Sequence, residues 1–93
     1  MEKPINMKEF DRVIKECREI SIKKNKDYGT ETLLKFMEKG LIMRMHDKMS
    51  RLINLGFYEK SLSSKDEKIE DTAKDLINYA VYLVLMNRKR LTK

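Results

Sequence analysis

Apolar residues return at every third or fourth position in three stretches of this chain, and nowhere do apolar and polar residues alternate long enough to make a half-buried strand. That periodicity predicts an all-α fold. At 93 residues there is room for one domain, spanning 1–93, and a domain of that size buries only roughly 60–65% of the surface it exposes when unfolded. Three main helices are expected, forming a small bundle completed by oligomerisation.

The first helix is predicted to start after Pro4, with Asn6 as N-cap and Glu9 three residues on. Phe10, Val13, Ile14, Cys17 and Ile20 form its inward face, and it is expected to fade near Lys24 to Lys26. Asp27-Tyr28-Gly29 reads as a turn, after which Thr30 is placed to cap a second helix bearing Leu33, Leu34, Phe36 and Met37. Gly40 interrupts that helix. The run from Leu41 to Leu55 then offers Ile42, Met45, Met49, Leu52 and Ile53 for burial, with Gly56 as a stop. Ser61 to Ser64 form a polar link, and Ser64 with Glu67 make a capping box for the last helix. Its apolar residues, from Ile69 through Ala73, Ile77 and Ala80 to Met86, exceed what two partner helices cover, so contact with at least a second copy is expected there. The seven methionines, four of them between Met37 and Met49, read as core filler.

Cys17 is the single thiol, so no internal disulfide forms, and no apolar run reaches the ~18–20 residues of a membrane span. A cytoplasmic protein without a membrane partner is expected. The net charge of +6 favours polyanionic partners, nonspecific nucleic-acid contact included. That excess is segmental: residues 35–51 carry five basic and two acidic groups, residues 66–78 two basic and five acidic, and Arg88, Lys89, Arg90 and Lys93 make a basic tail.

No glycine-rich phosphate loop, Ser-His-Asp set or zinc-spaced Cys/His cluster is present. Two polar helix faces remain. Arg44, Asp47, Lys48 and Arg51 stand at offsets of zero, three, four and seven and point one way. Three cations around one carboxylate repel one another unless an anion or an acidic face lies near. Asp71, Asp75, Asn78 and Tyr82 make the second face on the greasiest helix. Its two aspartates are placed either to hold a divalent cation such as Mg2+ or to pair with Arg44, Lys48 and Arg51. His46 reads as a surface or hydrogen-bonded residue rather than a catalyst. Lys23, Lys24 and Lys26 before Tyr28 suit either a solvated helix end or a clamp on a nucleotide.

Three segments in this order, Lys24-Asn25-Lys26-Asp27-Tyr28-Gly29, Arg44-Met45-His46-Asp47-Lys48-Met49-Ser50-Arg51-Leu52 and Asp71-Thr72-Ala73-Lys74-Asp75-Leu76-Ile77-Asn78-Tyr79, resemble the nucleotide modification associated domain family (type one). That family is similar in helical pattern to the MazG-like all-α nucleoside triphosphate pyrophosphatases, and phage-encoded members are common in such a family. The resemblance implies an oligomeric, nucleotide-handling protein whose site lies between the helix bearing Asp47 and the helix bearing Asp71 and Asp75. MazG-like enzymes hold Mg2+ with Glu-x-x-Glu and Glu-x-x-Asp pairs. Here Arg44-x-x-Asp47 and Thr72-x-x-Asp75 stand in those places, a change that favours binding phosphate over activating water.

The leading expectation is a protein that binds and sequesters a linear or cyclic nucleotide without turnover and without a required cofactor. Lys24, Lys26, Tyr28, Arg44, Lys48, Arg51 and Asn78 would form its site, with Tyr28 on the base. In a phage this would be an anti-defence sponge for nucleotide second messengers, acting in the host cytoplasm. The competing expectation is a Mg2+-dependent nucleotide pyrophosphohydrolase or nucleotide-modification enzyme with Asp47, Asp71 and Asp75 as metal ligands. A third is a helical interaction module whose polar faces only pair with each other.

Overall fold

Asn6 starts the first helix as its type and spacing predict: its side-chain oxygen accepts a hydrogen bond from the Glu9 backbone N–H at 3.2 Å. The computed structural model describes residues 3–28, 35, 37–58 and 65–91. Helix α1 runs Met7–Tyr28, α2 runs Met37–Ile53 and continues as a π-helical turn over Asn54–Tyr58, and α3 runs Lys65–Asn87. No strand occurs among the described residues. The fold is all-α.

Three boundaries differ from the sequence reading. Asp27 and Tyr28 are the last residues of α1, not a turn. The start of α2 lies at Met37, whose φ of 55° is the left-handed conformation that breaks a right-handed helix. Gly40 lies inside α2, three residues after its start, and does not interrupt it. Gly56 is no stop either; the chain passes it in the wider π turn. The proposed Thr30 cap, the Leu33, Leu34 and Phe36 face and the Ser61 to Ser64 link with its Ser64 cap lie outside the described residues.

Helices α2 and α3 form an antiparallel hairpin. Leu41 of α2 meets Tyr82 of α3, and Lys48, seven residues on, meets Asp75, seven residues back. Leu41, only 1% exposed, with Tyr82 and Met86 forms the core, and Tyr79, Leu83 and Leu91 pack around it. Leu91 gets there because α3 ends in a tight cap: Lys89 takes φ 57°, its N–H donates to the Met86 carbonyl, and the Arg90 N–H donates to the Leu85 carbonyl at 2.7 Å. Helix α1 meets α3 differently. Glu16, Cys17 and Ser21 face Lys74, Asn78 and Tyr82 in ascending order, yet Lys24 reaches back to Asp75, so α1 crosses α3 obliquely.

A crossing helix covers little, and the predicted core faces are only partly buried. Cys17 is buried, but Phe10 and Ile14 on the same stripe of α1 are exposed, as are Ile42, Met49 and Ile53 on one flank of α2. The methionines are corrected most. Met37, Met43 and Met49 are exposed, Met45 is half-buried, and among the described residues Met86 is the methionine that joins the core.

Two polar contacts pin the crossing. Asn78, buried among the helices, donates from Nδ2 to the Cys17 carbonyl oxygen at 3.0 Å, and the Tyr82 hydroxyl hydrogen-bonds Ser21 Oγ. Asn78→Ala is expected to cost about 1–2 kcal/mol. Urea unfolding should show this as a lower midpoint at unchanged slope; an unchanged midpoint would remove Asn78 from the account of how α1 is held.

Candidate functional site

Asp75 is the centre of the charged groups. It sits on α3 where α1 and α2 both come near, four residues after Asp71 and three before Asn78 on one stripe. Its two oxygens are divided between helices: Lys24 Nζ of α1 donates to Oδ1 at 2.9 Å and Lys48 Nζ of α2 donates to Oδ2 at 3.1 Å. One carboxylate thus joins all three helices. Burial pushes the Asp75 carboxyl up, but the two lysine hydrogen bonds and charges outweigh it and hold it below the usual carboxylate range. Lys24 is held above the usual lysine range, first by its hydrogen bond to Asp75, against the opposing effect of burial.

A second ion group is centred on the residue before Asp75. Lys74, its side chain 12% exposed, reaches Glu16 of α1 at 2.9 Å and Glu70 of its own helix at 3.2 Å. Hydrogen bonds to those two carboxylates hold it above the usual lysine range.

These shifts set the pH dependence. Asp75 is depressed in the fold, so its contribution is complete above the ordinary carboxylate pKa and disappears as pH falls through its lower folded value. Lys24 and Lys74 are raised, so theirs is complete below the ordinary lysine pKa and disappears as pH rises through their folded values. A plateau of stability across neutral pH with losses at both extremes is expected from thermal melts. A melting temperature still rising between neutrality and the alkaline lysine range would contradict this assignment.

The remaining predicted residues surround this centre unequally. Arg44 and Arg51 stand four residues before and three after Lys48, so they share its stripe on α2. Both are exposed and make no ion pair among the described residues. Asp47 is exposed too, 3.9 Å from the exposed His46 imidazole, and Asp71 is exposed one turn from Asp75. Lys26 is exposed near the end of α1; the Tyr28 side chain lies outside the described residues. Asn78 faces the α1 backbone and has its Nδ2 occupied there.

Sequence reasoning identified Asp75, Asn78, Tyr82, Lys24 and Lys48 but not the other α1 side chains that meet α3. Ser21 and Glu16 were missed. Their signal was present: Ser21 follows Cys17 by four residues on an otherwise apolar stripe, a polar group needing a partner.

Chemically, the surface around Asp75 offers the Lys24 and Lys48 ammonium groups on one carboxylate, with the exposed Arg44 and Arg51 guanidinium groups on the same stripe of α2 as Lys48. No three His, Cys, Asp or Glu side chains converge to hold a metal ion among the described residues. No helix is long and apolar enough to cross a membrane among them either. No protein-family model, curated protein or solved structure matches this chain.

Proposed function

We propose that this protein binds a nucleotide through its phosphates beside Asp75, where Lys24 of α1 and Lys48 of α2 meet α3, and holds it without turnover. One observation supports this most: the carboxylate best placed for metal, Asp75, has both oxygens engaged by Lys24 and Lys48, while Arg44 and Arg51 beside them are exposed and unpaired among the described residues. A phosphate gains charge-assisted bonds from such donors; a Mg2+ ion must displace two ammonium groups to reach the same carboxylate. The choice of a nucleotide over another anion rests on the resemblance of the three segments around Lys24, Arg44 and Asp75. Arg44 and Arg51 contact phosphate in this reading, Lys24, Lys26 and Lys48 supply charge, and Tyr28 covers the base. Sequestering a linear or cyclic nucleotide signal, as a phage sponge against host defence would, is the role that fits binding without turnover.

The test mixes stoichiometric protein with a panel of linear and cyclic nucleotides and Mg2+, filters, and chromatographs the filtrate and the nucleotide released on denaturation. A nucleotide depleted from the filtrate and recovered intact, with or without Mg2+, is expected. A converted nucleotide would replace this reading with a hydrolase. If all remain free and unchanged, the charged group at Asp75 only joins the helices.

A further inference from the structure

The directions of the helices gather charge at one end of the molecule. The hairpin sets the start of α2 beside the end of α3, where Leu41 meets Tyr82 and Met86. Helix α1 runs the same way along α3, since Cys17 meets Asn78 and Ser21 meets Tyr82 in ascending order. Residues 22–28, 37–40 and 86–91 therefore lie toward one end, and they hold seven basic residues against two acidic ones, Asp27 and Glu38. Toward the other end, residues 7–12, 51–58 and 65–71 hold five basic against six acidic. Most of the net charge of +6 is thus concentrated where α1 and α3 finish and α2 starts.

These cations face outward. Lys24 is taken up by Asp75, but Lys23, Lys26, Lys39, Arg88, Lys89 and Arg90 are exposed and make no ion pair among the described residues. The cap on α3 fixes three of them. With Lys89 at φ 57° and Leu91 folded back onto the core, Arg88, Lys89 and Arg90 are held at the helix end. Charges more than about 8 Å from an anionic surface are screened at physiological salt, so cations pull on such a surface together only when gathered in this way.

Two apolar side chains decide which anionic surface fits. Met37 is 58% exposed at the start of α2, one turn beyond Leu41, and Ile22 is 52% exposed on α1, four residues before Lys26 and on its stripe. A phosphodiester backbone gains nothing from methionine or isoleucine. A membrane does, because apolar side chains beside cations reach the boundary between headgroups and acyl chains.

We propose that this end of the protein docks on an anionic lipid surface, its cations against the headgroups and Met37 and Ile22 at the acyl boundary. No helix crosses the bilayer in this arrangement; the protein lies on it. A single weak signal gives only marginal membrane binding, whereas a basic cluster together with inserted apolar side chains supplies two.

Cosedimentation of the full chain with vesicles of phosphatidylcholine, with and without phosphatidylserine, tests this. Wild type should pellet with the phosphatidylserine vesicles at physiological salt, more completely at low salt, and stay in solution with phosphatidylcholine alone. Arg88→Glu combined with Arg90→Glu should lower partitioning by roughly 100-fold or more, since each Lys or Arg near such a surface contributes about fivefold. Met37→Asn should lower it by roughly tenfold through lost apolar burial, with unchanged helical circular dichroism, because asparagine accepts the left-handed φ of this position. Both variants keep Lys24, Lys26, Arg44 and Arg51, so nucleotide retention should be unaffected whether or not vesicles are bound. Wild type that stays in solution with phosphatidylserine vesicles overturns the proposal. So does pelleting unchanged by the double arginine variant. Partitioning undiminished in Met37→Asn would leave a cluster that reads charge alone, overturning the lipid assignment in favour of a nucleic-acid backbone, which duplex DNA in place of vesicles would reveal.

Discussion

Asp75→Ala is expected to destabilise the protein by about 2–3 kcal/mol, a large effect for a partly exposed residue. The reason is what it leaves behind. Lys24 and Lys48 come from different helices to within 2.9 and 3.1 Å of one carboxylate, and without it two ammonium groups face each other with nothing between them. Lys24 is half exposed and can swing into water, which keeps the loss below the 3–5 kcal/mol typical of a fully buried pair. Lys48 is less free. Asp75→Asn should recover only part of the loss, since an amide accepts from one lysine and turns its N–H groups toward the other. Urea unfolding of both variants measures this. Equal stability of Asp75→Ala and wild type would show that the three-helix ion group holds nothing together.

Arg44→Ala combined with Arg51→Ala is expected to weaken nucleotide retention by roughly 100-fold or more, since each guanidinium gives a phosphate charge-assisted hydrogen bonds of about 1.5–3 kcal/mol. Stability should move by no more than about 0.5 kcal/mol, because both side chains are exposed and unpaired among the described residues. The contrast with Asp75 separates two roles within one charged group. Asp75→Asn, assayed at a temperature where it stays folded, should still retain nucleotide, whereas the double arginine variant stays folded and does not. Retention undiminished in the double variant would move the site off this face of α2.

Much of the fold was legible because helices are local. The Asn6 cap, the absence of strands and the apolar load of α3 all follow from spacing within a few residues. Parts of the site were legible for the same reason: a stripe such as Asp71, Asp75, Asn78 and Tyr82 is a property of one helix. What answered each stripe was not, because ion pairs between helices depend on crossing geometry. Arg44, Lys48 and Arg51 are equivalent in sequence as candidates to meet Asp75, yet Lys48 does so and the arginines do not.

The sequence by itself determined the helical class, the Asn6 cap and which residues line up along each helix, since backbone hydrogen bonding and a period of 3.6 residues act over a few positions. Only the tertiary structure decided which stripes are covered. The oblique crossing of α1 leaves Phe10 and Ile14 in water while burying Cys17 of the same stripe, and Gly40, expected to interrupt a helix, lies inside α2. Burial is a property of pairs of surfaces, and a pattern along one helix holds no information about the angle at which another will cross it.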